Sequence, residues 1–217
     1  MTGARPPAPH GGQPVATRGA PLGQGRAVMI LVHGRNGTAA DILTLVPVLG
    51  HPDFTYLAPA AAGGTWYPES FLAPIARNEP GISSGIAVIH GLVDQALAVG
   101  VPVGRVMLLG FSQGACLAVT AASRRPARYG GVIAYSGGLI GPPGTGWPAT
   151  GSFDGAPAFL GCSDRDPHIP LERVDETAAA LAGMRATVTR RIYPGMGHTV
   201  NEEEIAFARE LMASVAS

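Results

Sequence analysis

The residues best suited to chemistry sit in Gly110-Phe-Ser112-Gln-Gly114, between an apolar, β-forming run (Val106 to Leu109) and a helix-forming run (Ala115 to Ala122). Strand, sharp turn and helix together make a nucleophile elbow, which holds a serine hydroxyl proud of a sheet. Gly110 and Gly114 flank the serine where neighbouring Cβ atoms would collide. The helix start adds free N–H groups that favour developing negative charge. In a chain with 31 glycines the pattern G-x-S-x-G arises by chance about 0.2 times, so the flanking elements carry the inference.

A serine hydroxyl needs a base within hydrogen-bonding reach, and the base needs a carboxylate to orient it. His198, in the Gly-rich stretch Pro194-Gly-Met-Gly-His198 after the last apolar run, is the candidate base. Two aspartates compete for the orienting role. Asp166, before Pro-His-Ile-Pro, is preferred, and Asp164 is read as a loop-capping carboxylate. His168 is read as a groove wall or a solvated residue. The backbone N–H of Gln113 and that of Arg35 are the candidate oxyanion donors, with His33 as a structural residue holding the Arg35 loop. Ser136 lacks a preceding glycine and a following helix, so it is set aside.

These residues require a scaffold that gathers distant segments. Apolar runs at Ala27–Val32, Phe54–Ala58, Val106–Leu109, Gly131–Tyr135, Pro157–Cys162 and Ala186–Tyr193 read as strands. Helices are expected from Thr38 to Leu49, from Ser83 or Ser84 to Val99, after Ser112, over Leu171–Ala182, and from Asn201 to Val215. Pro47 is expected to kink or end the first of these. Alternation of strands and helices predicts a mainly parallel sheet covered on both faces, with Pro14–Arg18 as an edge strand. In such sheets sites lie beyond the carboxyl ends of the strands. His33, Ser112, Asp164, Asp166 and His198 all follow predicted strands, so they should meet at one rim.

The chain has 217 residues, no net charge and 14% charged residues. That fits one domain over 13–217 and gives no electrostatic footprint for nucleic acid. All fifteen basic residues are arginine, read as the codon bias of a GC-rich, bacterial genome. Cys116 and Cys162 lie in apolar runs, as small buried hydrophobes of a reducing compartment do. The start of the chain lacks the pattern of a secretory signal, and no apolar run approaches the ~18 residues of a membrane span. A cytoplasmic protein without stable membrane insertion is expected; a homodimer is left open. Nothing indicates a metal or cofactor. Residues 1–12, rich in Pro and Gly, are expected to be a disordered tail. The long segments 59–81 and 136–156 hold Trp66, Tyr67, Phe71, Leu72, Leu139 and Trp147, expected to line a shallow apolar substrate site with no large cap domain.

Four motifs taken together resemble the phospholipase/carboxylesterase family of α/β-hydrolases, which includes bacterial carboxylesterases and acyl-protein thioesterases. They are His33-Gly34, Gly110-Phe-Ser112-Gln-Gly114, Asp166-Pro-His-Ile-Pro170 and Gly195-Met-Gly-His198. The resemblance runs from about Val28 to the C-terminus. It implies the α/β-hydrolase fold, Ser112, Asp166 and His198 as a catalytic triad, and Arg35 and Gln113 as oxyanion donors. It places Trp66 where relatives carry an aromatic of the acyl site, and Asn36 where they often carry glycine. It implies cofactor-free hydrolysis of short to medium acyl esters. Acyl-protein thioesterase or lysophospholipase is the near alternative, and a non-catalytic ligand-binding relative the distant one.

Overall fold

A computed structural model describes residues 6–147 and 150–217. Seven strands form one sheet in the order β1-β3-β2-β4-β5-β6-β7. They are β1 (Val15–Gly19), β2 (Ala27–Val32), β3 (Phe54–Pro59), β4 (Val106–Phe111), β5 (Gly131–Tyr135), β6 (Pro157–Ser163) and β7 (Thr187–Tyr193). Only the edge strand β1 runs antiparallel, paired with β3. The other neighbours are parallel, as expected for strands joined by crossovers.

Alternation along the buried strands divides the core in two. Val28, Ile30, Val32, Leu108 and Leu160 face one side, with α3 (Gly81–Ala98), α4 (Gln113–Arg124) and α5 (Leu171–Gly183) packed over them. Met29, Leu31, Leu109, Ile133 and Phe159 face the other, under α1 (Ala39–Ile42) and α6 (Glu202–Ala216). Each central strand is apolar throughout because both of its faces are covered. With helices on both faces of a mainly parallel sheet, the architecture is the α/β-hydrolase fold.

Local sequence sets several boundaries. Thr38 and Asp41 form a capping box at the start of α1, and Asn201 and Glu204 form one at the start of α6. The helix expected through Leu49 breaks into α1, a 3₁₀ turn over Leu43–Leu45, and α2 (Val46–Leu49). Pro47 lacks the N–H that a continuous helix would donate to Leu43. α3 begins at Gly81, ahead of the expected serine caps. The Glu79 carboxylate accepts from the N–H and hydroxyl of Ser83, while Ser84 faces inward. This 18-residue helix is long and apolar enough to cross a bilayer, although polar residues interrupt it in sequence; half of it is buried inside the protein.

The expectation of a disordered tail fails for residues 6–12; residues 1–5 lie outside the described residues. His10 is 2% exposed. Its N–H donates to Ser84 Oγ (2.8 Å), and its ring bonds the Trp66 carbonyl (2.8 Å) and the Ala62 N–H (3.0 Å). Composition favours disorder, yet the buried His10 and the bond from the Ser84 hydroxyl to the Pro7 carbonyl (2.7 Å) seat this segment on the core.

Candidate active site

Ser112 sits between β4 and α4 with φ 56° and ψ −123°, a conformation that costs a non-glycine residue of order 1–3 kcal/mol. The neighbouring glycines make the turn possible. A Cβ on Gly110 would stand 2.4 Å from the Gly114 carbonyl oxygen, and one on Gly114 would stand 2.1 Å from that of Val32. The strand and helix therefore approach too closely for any side chain at either position. Ser136 also has positive φ, but its hydroxyl is buried at the end of β5.

Ser112 Oγ lies 2.8 Å from His198 Nε2, and His198 Nδ1 lies 2.7 Å from Asp166 Oδ2. The three groups come from the loops after β4, β6 and β7, so the rim reading of the sequence places them together. The Asp166 side chain is fully buried. Burial pushes its carboxyl pKa up, but the bonds from His198 and from the N–H groups of His168 and Ile169 outweigh burial and hold it below the usual range. An ionised Asp166 requires the proton on His198 Nδ1, which leaves Nε2 free to accept from Ser112. Asp164 instead accepts the Gly195 N–H (2.7 Å), fixing the loop that carries His198.

The cavity beside Ser112 holds about 540 Å³ and includes Arg35, Tyr67, Phe71, Gln113, Ile169 and His198 in its walls. His168 is also a wall, its ring 4.8 Å from that of His198. Neither the Arg35 nor the Gln113 N–H has a hydrogen-bond acceptor among the described residues, and both residues border the cavity. Asn36 takes φ 58°, the left-handed region that asparagine tolerates best after glycine.

Of the six residues expected to line a substrate site, Tyr67 and Phe71 line this cavity. Trp66, Leu72, Leu139 and Trp147 do not. Trp66 is a strut. Its indole is fully buried between the rings of His10 and His33, and Nε1 donates to the His33 carbonyl (2.9 Å). Leu139 belongs to the core, and Leu72, half-buried, packs against it. Trp147 covers the guanidinium of Arg173, whose Nη1 also donates to the Leu139 and Gly141 carbonyls. Arg173 is 3% exposed and stacks against Phe71 as well, so one buried cation ties both long loops together.

Sequence reasoning missed two ties. The Gln113 side chain accepts the Trp66 N–H (2.9 Å) and donates to the Tyr67 carbonyl (2.8 Å). The Arg35 guanidinium donates to the carbonyls of Tyr67, Pro68 and Glu69. The residues whose N–H groups border the cavity thus also hold its wall. Both thiols stay protonated: burial raises Cys116 to about 11, and burial with the nearby Asp166 charge raises Cys162 to about 12. Cys116 borders the cavity but is fully buried.

A strained serine after the fourth strand, an imidazole from the loop after the last and a carboxylate from the loop between define an α/β-hydrolase. The sequence profile of the phospholipase/carboxylesterase family matches residues 21–216, and the chain belongs to that family. The phospholipase/carboxylesterase from Dyadobacter fermentans is 36% identical and superposes with a TM-score of 0.89, covering 96% of this chain and 99% of that one. The Bacillus cereus carboxylesterase, 18% identical with a TM-score of 0.73 and covering 93% of each chain, is alike in fold. Acyl-protein thioesterase 1 of Gibberella zeae is 30% identical over 133 residues, 59% of this chain. The match spans 57% of that relative's length.

Proposed function

We propose that the chain is a serine carboxylesterase acting on esters of short to medium acyl chain, with Ser112 as nucleophile, His198 as base and Asp166 as its orienting carboxylate. The observation that carries this reading is the unbroken relay from Ser112 Oγ through His198 to Asp166, at 2.8 and 2.7 Å. His198 takes the serine proton as Oγ attacks the ester carbonyl. The N–H groups of Arg35 and Gln113 stabilise the oxyanion, and His198 then protonates the leaving oxygen. Water attacks the acyl-enzyme by the same route and releases the acid.

The test is a panel of p-nitrophenyl esters of graded acyl length, run beside Ser112→Ala. The substitution should lower turnover by ~10⁴-fold or more and abolish labelling by a fluorophosphonate. Equal turnover by the variant would overturn the assignment. Thioester hydrolysis is the second reading, favoured by the thioesterase relative; competition between matched oxoester and thioester separates the two.

A further inference from the structure

The site has a second lobe, and the covalent chemistry decides which half of an ester belongs in it. Beside the 540 Å³ cavity lies another of about 470 Å³, between the Arg35 loop, α1 and the His198 loop. The two share Gly34, Arg35, Phe111 and His198. Ser112 borders the first lobe only, whereas His198 borders both. Ile42, Leu45, Phe111 and Val200 give the second lobe apolar walls. Past Leu45 and Val200 it continues into a surface groove bearing Pro47, Val48 and Ile205.

Resting on the carboxylesterase reading, we infer that the second lobe receives the leaving alcohol, and that this alcohol is uncharged with an apolar chain. After attack the acyl carbon is bonded to Ser112 Oγ, so the acyl chain stays in the lobe that Ser112 borders. As the tetrahedral intermediate collapses, the bond from carbon to the alcohol oxygen breaks, and the electron pair stays on that oxygen. The proton on His198 Nε2 moves to it, and a neutral alcohol departs. The departing oxygen lies beside His198, which borders both lobes, and with the acyl chain in the first lobe the second is the one left to receive the alcohol.

Apolar walls favour an alkyl chain by several-fold per buried methylene. Charge sets the other limit. Asp41 borders the lobe, and Glu202 and Glu203 the groove beyond it. Arg209 borders the groove too, and Arg191 pairs with Glu203. The Arg35 guanidinium keeps its charge, but its Nη donors are committed to the carbonyls of residues 67–69, which line the first lobe and not the second. A phosphate-bearing leaving group meets the Asp41 carboxylate here, and among the described residues no arginine with uncommitted Nη donors borders the lobe.

The test varies the two halves of the ester separately. Butyrate esters run from ethyl to octyl alcohols, ethyl esters run from acetate to octanoate, and kcat/KM is read by titrating released acid. This ratio reports acylation, the step that includes the leaving group. In the wild type it should rise at least ~10-fold from ethyl to hexyl butyrate. Leu45→Gln and, separately, Val200→Gln should flatten the alcohol series and keep the gradient of the acyl series. S-hexyl thiobutyrate should be preferred to butyryl-coenzyme A by ~10-fold or more. A flat wild-type alcohol series, or variants that flatten the acyl series instead, would overturn the assignment; equal use of the two thioesters would overturn the preference for an uncharged leaving group. Failure of the carboxylesterase reading itself looks different: no ester is turned over and Ser112 takes no fluorophosphonate.

Discussion

His10 and His33 grip adjacent peptide groups from opposite sides: Nδ1 of His10 accepts the Ala62 N–H, and Nε2 of His33 accepts the Ala61 N–H. Because each ring accepts there, its other nitrogen must carry the proton. That proton goes to the Trp66 carbonyl from His10 and to the Gly34 carbonyl from His33. Both imidazoles are neutral, and burial holds both pKa values below the usual histidine range. A second proton on either ring would set two N–H groups against each other.

Acid should therefore loosen this clamp. A histidine pKa lowered by folding contributes stability that is fully present above about 6.5 and lost as pH falls toward the lowered value. His10→Ala should cost about 1–3 kcal/mol at pH 7.5, because buried partners lose their bonds. It should cost less at pH 5, where the wild type has already given up part of the contribution. Urea unfolding at the two pH values measures both; an equal cost at both would count against the clamp.

The strain at Ser112 predicts that two inactive variants differ in stability. Ser112→Ala keeps the positive φ and its cost. Ser112→Gly removes it, and should be more stable than Ser112→Ala by about 1 kcal/mol once the greater freedom of the unfolded glycine chain is subtracted. The expected gain in Tm is roughly 2–4 °C by thermal melt.

Asp164 and Asp166 should separate by kinetics. An asparagine at 166 would present its amide N–H to His198 Nδ1 and turn the imidazole to the tautomer whose Nε2 carries the proton. That ring cannot accept from Ser112, so Asp166→Asn should lower kcat/KM by ~10³–10⁴-fold. Asn at 164 can still accept the Gly195 N–H, so Asp164→Asn should stay within a few-fold. Steady-state rates on one p-nitrophenyl ester distinguish them.

Glu204 predicts an alkaline loss of stability. Its side chain is fully buried beneath β6, where a Cβ on Gly161 would stand 2.1 Å from Oε1. Burial, opposed by the Asn201 N–H and assisted by Glu203, pushes the carboxyl up to about 7. The folded state thus binds the proton more tightly than the unfolded chain. The resulting stability is complete below about 4.5 and lost as pH rises through about 7. Glu204→Gln keeps the volume and an acceptor for Asn201. It should be more stable than the wild type by roughly 2–3 kcal/mol at pH 8 and near equal to it at pH 4.5, by urea unfolding.

The elements that the sequence makes legible are those set by neighbours in the chain. Gly110 and Gly114 mark the turn because the steric demand falls on those residues themselves. The two capping boxes act over three residues, and the buried strands announce themselves by unbroken apolar runs. Direction within a loop is different. Trp66 and Tyr67 are adjacent buried aromatics in one loop, yet one is a strut away from the cavity and the other lines it. What decides between them is the Gln113 side chain, 47 and 46 residues away, and the histidine pair. The His10 anchor is hidden for the same reason: its partners at Ser84 and Trp66 lie 74 and 56 positions distant. No local pattern encodes such pairings.

The double duty of Gln113 constrains how this enzyme could be re-engineered or could diverge. Grafting segment 66–71 from a cousin would install a new cavity lining while leaving its anchor behind. Unless position 113 travelled with the graft, the peptide groups of 66 and 67 would lose their mooring, and the backbone amide beside the serine could drift with them. With the Gln113 amide serving the oxyanion as proposed, specificity and rate are inherited together at this locus.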